Sequence, residues 1–160
     1  MTILAIDPGP TNSAWVLWDG TTIVERGLSP NAEVLHAVGG FAESRHVDQL
    51  AIEMIASYGM TVGKEVFETC VWIGRFMQAW KSSPARADAD VKRVPRLQIK
   101  VHHCHNSRAN DSNIRQALID RLGAPGTKKN PGPTYGISKD LWAALAVALY
   151  VEDRSRAEAA

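Results

Sequence analysis

The chain has 160 residues, 45% hydrophobic and 22% charged, with a formal net charge of +1. These are ordinary globular values, and the length suffices for one domain over residues 1–160 with a real buried core. No apolar run is long enough to span a membrane and nothing resembles a signal peptide, so a soluble cytoplasmic protein without a membrane partner is expected; Cys70 and Cys104 give no disulfide framework and read as reduced, partly buried thiols.

Residues 2–7 read as the first strand, because Ile3-Leu4-Ala5-Ile6 is an unbroken apolar run that ends on Asp7 before a Pro8-Gly9 turn. Residues 13–18 and 21–25 read as a hairpin around Asp19-Gly20. Asn31 is the expected cap of a helix running toward Arg45, weakened by Gly39-Gly40. Residues 48–54 read as a strand parallel to the first. After a loop with Gly59 and Gly63, Val66, Cys70, Ile73 and Met77 recur at helical spacing and predict a helix over residues 64–80. A short strand is expected from Val91 to Val94, ending at Pro95, and residues 97–104 fit helix or strand equally. A helix starts at Ser112-Asn113-Ile114 and stops at Gly123. The Pro- and Gly-rich residues 124–133 read as a loop that moves when its partner is absent. A last, Ala-rich helix is expected over residues 138–151 with Ser138 as its cap. Strands first, then strands alternating with helices, give a mixed sheet with helices packed on it.

Two features carry chemistry. Asp7 ends one hydrophobic strand, and Glu53 sits in a second apolar run, Leu50-Ala51-Ile52-Glu53-Met54. An ionised carboxylate beside a sheet core is costly unless compensated, so two of them suggest a shared cation; magnesium and manganese prefer oxygen ligands of this kind. The second feature is charge asymmetry. Residues 91–129 carry nine Lys or Arg side chains against Asp111 and Asp120, a local balance of +7 beside −6 for the remainder. A basic region beside an acidic, metal-ready one suits a nuclease, in which one part holds phosphates and the other the cation; a solvated helical face is the bland alternative. His102-His103-Cys104-His105 lacks the second ligand pair that structural zinc needs, which favours alternating burial or phosphate contacts from His102 or His105. The loop Ala56-Ser57-Tyr58-Gly59-Met60 follows the second carboxylate. Its Tyr58 and Met60 could stack on or wedge open bases, or Tyr58 could simply pack. On the helix at 64–80, Phe67, Trp72, Phe76 and Trp80 are read as exposed in addition to the core stripe, which argues for burial in a dimer.

Asp140 alone would be a simple first-turn acid favoured by the helix dipole. In order with Asp7 and Glu53 it completes a pattern that resembles the RuvC-type Holliday-junction resolvases of the ribonuclease H-like fold, especially their short phage-encoded relatives. The resemblance spans most of the chain. It rests on Ala5-Ile6-Asp7-Pro8-Gly9, Leu50-Ala51-Ile52-Glu53, Ile99-Lys100 followed by Asn110-Asp111-Ser112-Asn113-Ile114, and Asp140 before Ala143-Ala144-Leu145-Ala146-Val147-Ala148. It implies an α/β, ribonuclease H-like fold with a five-stranded mixed sheet flanked by helices. The implied activity is metal-dependent cleavage of branched DNA, four-way junctions above all, by a homodimer in a bacterial or phage-infected cell.

The resemblance makes Asp7, Glu53 and Asp140 the ligands of Mg2+ or Mn2+ and sets Lys100 near the active site. It also implies two cations about 4 Å apart clamping the scissile phosphate. Two positions depart from the family pattern. Ala143 stands where a second acid or His is common, and Asp111 stands where the family has a lysine, which leaves Asp111 or nothing as a fourth ligand. Tyr58, Arg96, Lys100, Arg108, Lys128 and Lys129 are the candidate DNA contacts. Two other readings compete: an actin- or sugar-kinase-like ATPase lobe, because residues 7–13 resemble a phosphate loop, and a non-catalytic DNA-binding relative.

Overall fold

The computed structural model describes residues 1–44, 46–59 and 61–160. Five strands, β1 (Ile3–Asp7), β2 (Asn12–Trp18), β3 (Ile23–Pro30), β4 (Gln49–Met54) and β5 (Lys92–Pro95), form one sheet in the order β3-β2-β1-β4-β5. β1 pairs antiparallel with β2, and β2 with β3, whereas β1–β4 and β4–β5 are parallel. Five helices flank the sheet: α1 (Asn31–Glu43), α2 (Lys64–Lys81), α3 (Arg96–Cys104), α4 (Asp111–Leu122) and α5 (Leu141–Ala159). The five-stranded mixed sheet with flanking helices is the α/β architecture expected from the sequence. Among the described residues, no helix is long and apolar enough to cross a membrane.

The period-2 alternation of a strand sorts the central side chains onto two faces. Leu4, Ile6, Leu50 and Ile52 pack with α1 and α2 through Val34, Val38, Ile73, Phe76 and Trp80. Ile3, Ala5 and Ala51 face the opposite way, into a layer filled by α3, α4 and α5. Small residues along α5, Ala144, Ala146 and Ala148, are fully buried there and let the helix lie close to the sheet. Asp7 and Glu53 continue the parity of Ala5 and Ala51, so both carboxylates belong to the α5 face.

Several boundaries differ from the sequence reading, each for a local reason. β3 runs on to Pro30 rather than ending at residue 25. It is an edge strand, largely exposed, and lacks an apolar run to announce it. Gly27 in it passes so close to Trp15 that an added Cβ would stand 2.7 Å from the indole nitrogen. The Asp19 carboxylate ties the preceding turn by accepting from the Thr21 and Thr22 amides. Asn31 does not cap α1. It is the first helical residue, and its buried side chain turns back to the loop after β1. The expected end of α1 at Arg45, and Met60 in the loop after β4, lie outside the described residues. Residues 97–104 are helical. The Ser138 cap is also corrected: Lys139 has φ 48, a left-handed conformation that interrupts the helix, so α5 starts at Leu141 and continues to Ala159.

The stretch at 124–133 is a tied turn. Gly132 N–H donates to the Pro125 carbonyl at 2.8 Å, and Thr127 and Asn130 exchange backbone bonds at 3.0 and 3.1 Å. Lys128 and Lys129 stand exposed at its tip.

The largest correction concerns α2. Its buried stripe is Thr69, Ile73, Phe76 and Trp80, with Phe76 and Trp80 fully enclosed and Trp72 half-buried. Of the four aromatics expected on the surface, only Phe67 is well exposed, joined one turn on by Val71. Thr69 masks the stripe in the sequence; its hydroxyl is satisfied by the Glu65 carbonyl at 2.8 Å. Trp80→Ala should therefore destabilise the protein by about 3–5 kcal/mol in denaturant unfolding, whereas Phe67→Ala should change it by less than about 0.5 kcal/mol.

Candidate functional site

The last recorded partners of β1 and β4 are Ile6 and Ile52. One residue further on stand Asp7 and Glu53, on adjacent strands with the roughly 4.8 Å spacing of a sheet. Where β1 ends, the chain turns sharply, and a closed ring of hydrogen bonds fixes that turn. The Gly9 amide donates to Ser13 Oγ (3.2 Å), the Ser13 hydroxyl to Asn31 Oδ1 (2.6 Å), and Asn31 Nδ2 to the Gly9 carbonyl (2.9 Å). Ser13 and Asn31 are both buried. Gly9 is required, because a Cβ there would lie 2.4 Å from the Asn12 carbonyl oxygen. A buried polar ring of this kind rigidifies what it encloses, here the segment that carries Asp7.

Asp140 precedes the first turn of α5 and makes no capping bond to it. Its backbone carbonyl accepts from Ala144 N–H, and the residue lines a cavity of about 460 Å³. Asp7, Arg96, Asp111, Ser112, Arg115, Ser138, Lys139, Trp142 and Ala143 share the wall of that cavity. Glu53 does not reach the wall. Arg96 does, and its Nη1 donates to both Glu53 oxygens at 3.0 and 3.1 Å while its Nη2 pairs with Asp111.

The electrostatics follow from this crowding. Burial pushes the Asp7 pKa up to about 8, with the Glu53 and Asp140 charges adding to the rise and Arg96 opposing it. Burial also raises Glu53, against the pull of Arg96 and Lys100. Burial works against the Arg96 charge, but Glu53, Asp111 and Asp7 together hold its pKa above the usual arginine value. One guanidinium therefore serves three carboxylates, two of them, Glu53 and Asp111, in direct ion pairs.

The donor set consists of carboxylate oxygens, which suits a hard divalent cation. A half-buried Asp7 whose charge is this poorly compensated is the observation that favours one. As placed, no three His, Cys, Asp or Glu side chains among the described residues stand close enough to hold an ion.

Asp111 is not a cap. Asn110 caps α4, with reciprocal bonds between Asn110 and Asn113 at 3.0 Å, and Asp111 is 84% exposed at the helix start. Lys100 lies off the cavity wall, and its charge acts on Glu53. Tyr58 (60% exposed), Arg108, Lys128 and Lys129 are on the surface, and the structure does not bring them to the cavity. In the basic stretch, Lys92 pairs with Asp90, Arg96 with Glu53 and Asp111, and Arg121 with Glu152 and Asp153. Arg93, Lys100, Arg108, Arg115, Lys128 and Lys129 form no ion pair among the described residues, so most of the excess positive charge stays available.

The histidine cluster is divided. His102 bonds Asp153 (2.8 Å), and His103 bonds the Ala146 carbonyl (2.9 Å) with its pKa driven down to about 4 by burial. His105 ends α3 in a left-handed conformation at φ 52. Sequence reasoning counted Arg115, whose guanidinium lies over the Trp142 ring at 5.4 Å, only as one of nine basic residues, and passed over Lys139. Arg115 stands one helical turn after Asp111 and Lys139 directly before Asp140, and that adjacency was the available signal.

Comparison of the sequence with models of protein families and with curated proteins gives no match. Solved structures do match. The fold superposes on "T. thermophilus RuvC in complex with Holliday junction substrate" with a TM-score of 0.70 at 16% identity, covering 99% of this chain and 96% of that one. It also superposes on the Thermus thermophilus RuvC structure with a TM-score of 0.66 at 18% identity, covering 99% and 97%. The fold is thus of the RuvC, ribonuclease H-like kind over nearly its whole length.

The raised Asp7 pKa has a sign that can be measured. The folded state keeps a proton that the unfolded state releases between its ordinary value of 3.8 and about 8, so metal-free stability falls as pH rises through that window. Asp7→Asn should flatten this fall and raise the metal-free melting temperature at pH 8 by at least about 2 °C. Equal melting temperatures for the two proteins at pH 8 would contradict the assignment.

Proposed function

We propose that this chain is a divalent-metal-dependent, structure-specific endonuclease that cuts phosphodiester bonds in branched DNA and resolves four-way junctions by paired incisions. The observation that carries the reading is Asp7 at the end of the central strand of a RuvC-like sheet, with Glu53 next to it on the adjacent strand and Asp140 on the same cavity wall, where Arg115 and Lys139 also stand. Asp7, Glu53 and Asp140 are the residues that would hold Mg2+ or Mn2+. When bound, such an ion supplies an activated water and stabilises the charge on the leaving oxygen.

The chain's own residues do the rest. The Gly9–Ser13–Asn31 ring holds Asp7 in place, so little reorganisation is needed when charge develops. Arg115 and Lys139, on the cavity wall, are placed to take a phosphate. Lys100 offsets negative charge around Glu53. Lys128 and Lys129, at the tip of their tied turn, and Arg108 extend the positive surface along a duplex arm, where each contact adds salt-dependent affinity. Exposed Tyr58, four residues after β4, is free to stack on an unpaired base. The bound partner of the Thermus thermophilus structure, a Holliday junction substrate, supports the choice of branched DNA.

Paired incision requires two active sites, and hence a two-fold homodimer. With Phe76 and Trp80 in the core, its support on α2 narrows to Phe67, Val71 and the half-buried Trp72.

The test uses a supercoiled plasmid that extrudes a cruciform. With Mg2+ or Mn2+ the protein should give linear product, the signature of both strands cut in one encounter. Asp7→Asn should lower that rate by at least about 10³-fold while still shifting the junction in a gel. Nicked circles alone would contradict the dimer. Binding without any cleavage would point to the non-catalytic relative, and ATP hydrolysis in place of cleavage to the ATPase lobe.

A further inference from the structure

Arg96 is the only cation in ion-pair contact with the carboxylate cluster among the described residues. It begins α3 directly after Pro95, the last residue of β5. The Arg96 side chain is 35% exposed and lies on the cavity wall, whereas the Glu53 it holds is 12% exposed and off the wall. We infer that Arg96 is a latch on the carboxylate cluster: its guanidinium takes the charge position beside Glu53 that a divalent cation must occupy, so loading the cation requires Arg96 to release Glu53 and turn toward a phosphate in the cavity. The inference rests on the metal-dependent reading above.

Three observations carry it. Arg96 Nη1 bridges both oxygens of Glu53, so neither is free of it. The carboxylates are not gathered into an ion-holding group while that clamp is closed. Arg96 also has a second tether, Asp111, at the exposed end of the site. A purely structural ion pair would need only Glu53. The outer tether holds the guanidinium across the carboxylates instead of leaving it free in the cavity. The guanidinium brings one positive charge to the two carboxylates it touches, Glu53 and Asp111, and a doubly charged ion offsets such a cluster better. Once displaced, a guanidinium on the cavity wall matches a phosphate with two parallel donors. Asp111 is thereby assigned as the tether of Arg96 and not as a metal ligand.

The experiment is calorimetric titration of Mn2+ into the metal-free protein without DNA, for the unmodified chain, Arg96→Gln and Asp111→Asn. Arg96→Gln should bind Mn2+ at least about tenfold more tightly. Asp111→Asn, an exposed change that leaves Arg96 and the fold intact, should tighten binding by about twofold to fivefold. Equal or weaker binding by both variants would overturn the latch, and weaker binding by Asp111→Asn alone would make Asp111 a ligand and overturn it as well. Either outcome, with Mn2+ still bound by the unmodified chain, leaves the metal-dependent reading standing. No Mn2+ binding by any of the three proteins would remove both.

Discussion

The structure depends on one electrostatic constraint: two carboxylates, Asp7 and Glu53, end up side by side on the covered face of the sheet. Burial there disfavours their charges, and the nearby Asp140 and Asp111 make the repulsion worse. Such a cluster is a standing cost to the fold unless a cation offsets it. The chain supplies one internal cation, Arg96, drawn from a residue 43 positions away from Glu53.

The rest of the fold makes the cluster possible. Strand parity sends Leu4, Ile6, Leu50 and Ile52 into one core and leaves Asp7 and Glu53 facing α5. The alanines of α5 bring that helix close to β1 and β2, and its start sets Asp140 on the same cavity as Asp7. On the far side of β1, the ring through Ser13 and Asn31 holds the turn after Asp7 from within the protein. The site is therefore built on rigid elements, with solvent-facing cations at its margin.

Much of this was legible in the sequence because buried parallel strands read as continuous apolar runs. β1 and β4 fall close to their predicted places for this reason, and a carboxylate at the end of such a run stands out; β5, Lys92–Pro95, has no such run and showed only through Val91, Val94 and the stop at Pro95. Asp140 was legible only through its order after the other two. What was hidden has physical reasons. β3 is an edge strand with little apolar signal. Lys139 takes a left-handed conformation that propensity does not foresee, which moved the start of α5 beyond Ser138. α2 is apolar on more than one side, so periodicity could not choose between two stripes, and the buried Thr69 favoured the wrong one. The dual grip of Arg96 depends on tertiary placement of α3 and α4 and has no local signature. Asp111 showed as an acid in a basic stretch, but its partner did not.

Asp7, Glu53 and Asp140 are proposed as the seat of a divalent cation. Anomalous diffraction from crystals of the protein grown with Mn2+ at neutral pH tests this most directly. Mn2+ peaks bounded by these three carboxylates are expected, with Glu53 released by Arg96. Well-ordered crystals with no Mn2+ in contact with Asp7, and Arg96 still closed on Glu53, would contradict it.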